Sequence, residues 1–212
     1  MNPKHLAEPE LAAVKLEGGL TRSAFLVRGT LAAGAAYGLG AVSPFVSRSL
    51  AQGGGDVDVV NYALTLEYLE AAFYQQAAKK VAGLSSDQKK LIKEIGENEQ
   101  EHVDALIATA KKLGGTPAKK PRVDFAGAFN DKATFLKVAN VLEDTGVSAY
   151  NGAAPSIKSK DLLATAGAIV QVEARHAAAI RLQNSAPPAP EAFDPSLSQS
   201  QVLKAVQPFI KS

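Results

Sequence analysis

The chain has no cysteine and no tryptophan, few aromatics and a single methionine. Without cysteine it can have no disulfides, thiolate zinc sites, cysteine-held iron–sulfur clusters or cysteine nucleophile. Any metal must be held by oxygen and nitrogen. No Gly-x-Ser-x-Gly or similar nucleophile motif occurs either, which leaves a nucleophile-dependent hydrolase without support. What is present is 46% hydrophobic and 21% charged residues in a chain of 212, enough for one well-cored domain plus an end segment. The apolar residues are mainly Ala, Leu and Val, a mixture suited to closely packed helices rather than a strand-rich sandwich.

The N-terminus reads as an address. A polar stretch leads to Thr21-Arg22-Ser23-Ala24-Phe25-Leu26, an Ala/Gly-rich apolar run follows from Gly29 to Val46, and Ser49-Leu50-Ala51 supplies small residues for cleavage. This pattern resembles a twin-arginine export signal in which Ser23 occupies the second arginine position. An uncleaved membrane anchor is the alternative, opposed by Pro44 and the weak hydrophobicity of the run. Residues 1–51 are therefore expected to be an export signal, giving a periplasmic or extracellular protein with no stable membrane span in its mature form. The leader holds five basic residues (Lys4, Lys15, Arg22, Arg28, Arg48) and three acidic ones (Glu8, Glu10, Glu17), so the remaining 18 basic and 18 acidic residues balance. A neutral mature chain gives no electrostatic case for nucleic acid as a partner.

After a linker at residues 52–56, four long helical patterns follow. The first has Asp56 or Asp58 available as a cap, carries Val60, Leu64, Leu69 and Phe73 at helical spacing, and runs to Val81. The second opens at Leu84-Ser85-Ser86-Asp87 and stops at Gly114-Gly115. Residues 114–130 show no sustained period and read as a long connection. The third runs from Asp131 to Ala154, where Pro155 ends it; the fourth runs from Ser159 or Lys160 to Ala186-Pro187-Pro188. The tail, residues 185–212, is expected to add one short helix after Ser200. Two short loops and one long one predict an all-α four-helix bundle over residues 57–184 with a single crossover, and no strand pairing is needed.

Polar residues inside these apolar patterns carry the chemical signal, because an unpaired buried charge costs several kcal/mol. The second helix contains Glu99-Gln100-Glu101-His102 and the fourth Glu173-Ala174-Arg175-His176. Each is Glu-x-x-His, which puts a carboxylate and an imidazole on one helix face. Of the three histidines, His5 lies in the leader and both others fall in this motif. The first helix reads Leu66-Glu67, Tyr74, Ala77-Ala78, and the third repeats it with identical spacing as Leu142-Glu143, Tyr150, Ala153-Ala154. The chain is thus an internal repeat of two helical hairpins. Four carboxylates and two imidazoles meeting in one low-dielectric core cannot stay ionised and unpaired, whereas two divalent cations would neutralise them. The mixed oxygen and imidazole donors suit iron or manganese, with zinc also compatible.

One Glu from each of two helices and a Glu-x-x-His from each of the other two resembles the ferritin-like di-iron carboxylate proteins. That resemblance implies that Glu99 and Glu173 bridge two metal ions, while Glu67 with His102 and Glu143 with His176 complete the two ends. Glu70 lies on nearly the same face as Glu67 and is either a supporting group or an alternative ligand. Tyr74 and Tyr150 are either hydrogen-bond donors or electron carriers for the site, or core tyrosines with satisfied hydroxyls. The phrases Leu66-Glu67-Tyr68-Leu69-Glu70-Ala71 and Val147-Ser148-Ala149-Tyr150-Asn151-Gly152-Ala153-Ala154-Pro155 are similar to an exported branch that includes plant desiccation-related proteins. The implied function is redox chemistry on oxygen, peroxide or ferrous iron, of the ferroxidase, peroxidase or catalase-like kind. The alternative is a metal-stabilised structural or interaction protein of stress or desiccation, without turnover. Assembly into a homo-oligomer is compatible with either.

Overall fold

The computed structural model describes residues 55–211. The export signal and most of the linker expected over residues 1–56 lie outside the described residues. Five α-helices make up most of the described chain: α1 (Asp56–Lys80), α2 (Ser86–Lys112), α3 (Lys132–Ala153), α4 (Lys160–Gln183) and the short α5 (Gln199–Val206). Helix α1 packs along α2 and α3 along α4, and the two hairpins face each other across a common core. The architecture is the all-α bundle with one crossover that the repeat predicts. No helix among the described residues is long and apolar enough to cross a membrane.

Local chemistry fixes the helix ends. Ser85 caps α2 by accepting from Gln88 N at 3.2 Å while the Gln88 side chain accepts from Ser85 N at 3.1 Å, a reciprocal capping box. Asp131 caps α3 through Thr134 N at 2.8 Å, and Ser159 caps α4 through Leu162 N at 3.3 Å. Helix α2 stops where Gly114 takes a φ of 76°, a left-handed conformation that favours glycine. At α1 the cap differs from expectation. Gly55 occupies the cap position and donates its N–H to Asp58 at 3.2 Å. Asp56 instead accepts from Lys158 N and Ser159 N at 2.8 and 2.9 Å, tying the start of α1 to the start of α4.

The crossover holds more structure than its sequence suggests. Residues Arg122–Val123 form strand β1 and Ile210–Lys211 form β2; the two pair antiparallel, with Arg122 opposite Lys211 and Val123 opposite Ile210. The expectation that no strand pairing was needed is corrected to this extent. A 3₁₀ turn at Ala126–Phe129 then drops Phe125 and Phe129 into the core. There they join Phe73 and Phe135, with ring centroids 5.1 Å apart for Phe73–Phe125 and 5.4 Å for Phe73–Phe135. An isolated phenylalanine in a Gly- and Pro-rich stretch shows no period, so only the fold reveals that it is buried.

The C-terminal tail is held just as closely. Leu197 N donates to Ser148 O at 3.0 Å, and a Cβ at Gly152 would lie 1.9 Å from Leu197 O. Gly152→Ala must therefore push the tail off α3. We expect a loss of about 1–3 kcal/mol, the usual range for forced overpacking, read as a lower Tm and as earlier proteolysis near Leu197.

Two clusters of buried apolar residues fill the bundle toward its two ends. One gathers Phe73, Ile92, Ile95 and Ile180, the other Val60, Leu64, Val103, Leu106 and Leu162. Along α1, α2 and α4 the acidic and imidazole residues fall between them.

Candidate metal centre

All six metal-ligand candidates meet in this middle layer. Glu67, Glu99, Glu143 and Glu173 have 0% exposure, and His102 and His176 are buried beside them. They form two overlapping groups whose donor atoms lie within 4.8 Å of one another: Glu67, Glu99, His102 and Glu173; and Glu99, Glu143, Glu173 and His176. Glu99 and Glu173 belong to both.

The repeat explains how the helices deliver them. Tyr150 donates a hydrogen bond to Glu67 Oε1 at 2.5 Å, and Tyr74 donates to Glu143 Oε1. Each tyrosine lies seven residues beyond the glutamate of its own helix, about 10 Å along the axis, so it reaches the glutamate of the facing helix instead. The pairs 67–150 and 74–143 count in opposite directions, so α1 and α3 run antiparallel. Likewise His176 Nδ1 lies 2.8 Å from Glu99 Oε1, and His102 Nδ1 lies 2.9 Å from Glu173 Oε1, so α2 and α4 also run antiparallel. The two hairpins are therefore related by an approximate twofold axis through the cluster.

Within each carboxylate the two oxygens have separate roles. Glu67 Oε2 lies 3.3 Å from His102 Nδ1 and Glu143 Oε2 lies 3.7 Å from His176 Nδ1, while their Oε1 atoms are taken by tyrosine. Glu99 turns Oε2 toward His102 (3.5 Å) and Oε1 toward His176 (2.8 Å). Glu173 turns Oε1 toward His102 (2.9 Å) and Oε2 toward His176 (3.9 Å). Of these atoms, both oxygens of Glu99, both of Glu173, Glu143 Oε2 and His176 Nδ1 are fully buried with no hydrogen-bond partner. The approaches to these six atoms are short but lack hydrogen-bond alignment, whereas His102 Nδ1 and Glu67 Oε2 share a hydrogen bond. Buried polar atoms are nearly always satisfied, and these converge on shared points. The donor set, its burial and its unsatisfied atoms fit a pair of divalent cations.

Electrostatics agrees. Burial, followed by the charge of Glu99 and Glu173, raises the Glu143 carboxyl well above its ordinary range. Burial, then Glu99 and Glu67, does the same to Glu173. Burial, opposed by His102, pushes Glu99 up to about 8. Burial disfavours a charged His102, yet the nearby Glu173, Glu67 and Glu99 outweigh it and push the imidazole up to about 12. His176 goes the other way, lowered by burial despite Glu143. Without a cation, protons supply the compensating charge. Both tyrosines are raised by burial and then by their partner glutamates, so they remain phenols that donate hydrogen bonds. Of the two readings of Tyr74 and Tyr150, the structure thus places their hydroxyls on the cluster.

Two neighbours border this set, and the first of them, Glu70, is already read from the sequence as a supporting group or an alternative ligand. Glu70 is buried at 3% exposure, and a Cβ at Gly146 would lie 3.0 Å from its Oε1. Asn98 was not singled out by any motif. Its Nδ2 lies 3.1 Å from His176 Nε2, and the only signal for it in the sequence is an amide next to a buried Glu on a histidine-bearing helix.

No curated protein matches the chain. A family model described as a ferritin-like domain matches residues 55–185. That span is more than half of the chain, runs from the start of α1 past the end of α4 and contains every residue of the buried cluster, so the chain belongs to the ferritin-like domain family.

Proposed function

We propose that Glu67, Glu99, His102, Glu143, Glu173 and His176 hold two metal ions, iron first and manganese next, and that the protein acts on oxygen, peroxide or ferrous iron. The observation that carries this reading is the division of the Glu99 and Glu173 oxygens between the two imidazoles, which is how a carboxylate spans two adjacent cations. Two redox-active ions side by side would supply the electron pair that reduction of an O–O bond requires.

The protein's own contribution is positional. Tyr150 and Tyr74 each occupy one oxygen of Glu67 and Glu143, leaving one oxygen of each end carboxylate for a metal and fixing its orientation. Apolar layers on both sides exclude water and strengthen every charge interaction within. An apolar cavity lined in part by Leu66, Leu106, Ala149 and Tyr150 borders the residue that donates to Glu67 and suits a small uncharged oxidant. The leader sequence supports action outside the cytoplasm, and the α1 and α3 phrases support a place in the desiccation-related, stress-associated branch.

A second reading rests on the contribution of all four helices to the cluster. Metal ions there would fasten the bundle together and make a metal-stabilised structural protein. Assays of peroxide consumption and ferrous-iron oxidation on one metal-loaded sample separate the two. Turnover supports the oxidoreductase, and bound metal without turnover supports the structural role. In a metal-binding titration Glu143→Ala is expected to lose at least one metal ion; retention of both at parental affinity would remove Glu143 from the ligand set.

A further inference from the structure

The approximate twofold axis makes departures from symmetry visible, and two independent ones favour the same half of the cluster. The first is Glu70. The offset that carries Glu67 onto Glu143 carries Glu70 onto Gly146. Because α1 and α3 run antiparallel, positions 70 and 146 face each other near the axis, where two carboxylates would collide. Glycine at 146 leaves the room: a Cβ there would lie 3.0 Å from Glu70 Oε1 and 3.4 Å from Glu173 Oε2. Glu70 Oε1 and the Glu173 oxygen that faces His176 therefore border the same space over Gly146, and among the surrounding carboxylates Glu173 acts most strongly on Glu70.

The second departure is Asn98. It precedes Glu99 on α2 and lies 3.1 Å from His176 Nε2. The matching position before Glu173 on α4 is Val172, which offers no hydrogen bond. His102 Nε2 accordingly has no hydrogen bond among the described residues. When Nδ1 of a histidine coordinates a metal, Nε2 carries a proton. A half-turn of the Asn98 amide then presents its oxygen to accept that proton, fixing the tautomer and the ring.

Resting on the two-metal reading above, we propose that the two positions are unequal: the Glu143–His176 position binds metal first and more tightly, with Glu70 as an added carboxylate ligand and Asn98 as a positioning residue, while the Glu67–His102 position is the exchangeable one. Glu70 stands outside both four-residue groups and joins by turning about its own side-chain bonds. A further anionic oxygen suits a hard divalent cation. Without these supports the His102 ring is held only by packing and its Nδ1 contacts.

The test is an anaerobic titration of the metal-stripped protein with Mn(II), followed by calorimetry and by the electron paramagnetic resonance signal of free Mn(II). The parent is expected to bind in two steps, the first at least about tenfold tighter, by the usual effect of supporting groups on metal affinity. Glu70→Gln and Asn98→Ala should each weaken the tight step by about 10–100-fold and leave the second within about twofold. Val172→Asn, which supplies the missing amide to the other repeat, should tighten the second step; this gain cannot come from a folding defect. Equal steps in the parent, or variants that weaken only the second step or neither, would overturn the proposal and leave the two-metal reading intact. No Mn(II) binding by the parent would overturn both.

Discussion

Glu99→Leu is expected to abolish tight metal binding at both positions and, in metal-stripped protein, to raise the melting temperature. Glu99 takes part in both donor groups, one oxygen to each. Its loss should weaken both positions by more than about 100-fold, the upper range for loss of a mere supporting group. The same carboxylate is wholly buried without a hydrogen-bond partner, and burial outweighs the help it gets from His102, so without metal its net effect is to destabilise the fold. Replacing buried ionic groups with apolar ones of similar volume is often stabilising, here by about 2 kcal/mol. At roughly 2–4 °C per kcal/mol for a chain of this size, Tm should rise by roughly 4–8 °C. A metal titration and a thermal scan on one preparation check both halves. A fall in Tm without metal would mean that Glu99 has a structural partner, against the reading of it as a ligand.

The second large effect is an opposite pH dependence of the metal-free and metal-loaded proteins. Glu143 and Glu173 are raised well above their ordinary value, and Glu99 to about 8, each chiefly by burial. Between an unfolded carboxyl value of about 4.3 and these folded values, the folded state binds more protons than the unfolded one. Stability then falls as pH rises. His102, raised to about 12 by its carboxylate neighbours against the cost of burial, adds to the fall above its unfolded value of about 6.5. His176 is lowered and contributes in the opposite sense, one group against four. Metal-free protein should therefore lose several kcal/mol between pH 5 and 8, each pKa unit being worth about 1.4 kcal/mol. Metal binding displaces those protons, so affinity and the stabilisation it brings should rise over the same interval. Thermal scans from pH 5 to 8 with and without Mn(II) should show a widening gap. A constant gap would mean that the cluster carries no protons for the metal to displace.

The centre was legible in the sequence because its chemistry is written in helical spacing. Glu-x-x-His is one turn, the repeat of it on α2 and α4 names both histidines, and the matching glutamate and tyrosine on α1 and α3 complete the set. Even the tyrosine pairing is implicit, since a residue two turns from its own glutamate can reach only the facing helix in an antiparallel arrangement. The parts that escaped depend on contacts far apart in the chain. Phe125 and Phe129 are buried because the crossover passes over the end of the aromatic cluster, and β1 exists only because the C-terminus returns beside it. Asp56 looked like a helix cap, but its carboxylate binds the start of α4 instead. Asn98 lies in no motif because its role is defined by a histidine on another helix.

The most direct test of the metal centre is elemental analysis of the protein purified from its own host without added metal. About two Fe or Mn per chain are expected, as in the di-iron carboxylate pattern, falling by at least one in Glu143→Ala. A chain that carries no metal as isolated and takes up none on anaerobic reconstitution with ferrous or manganous ion would contradict a metal role for the buried cluster.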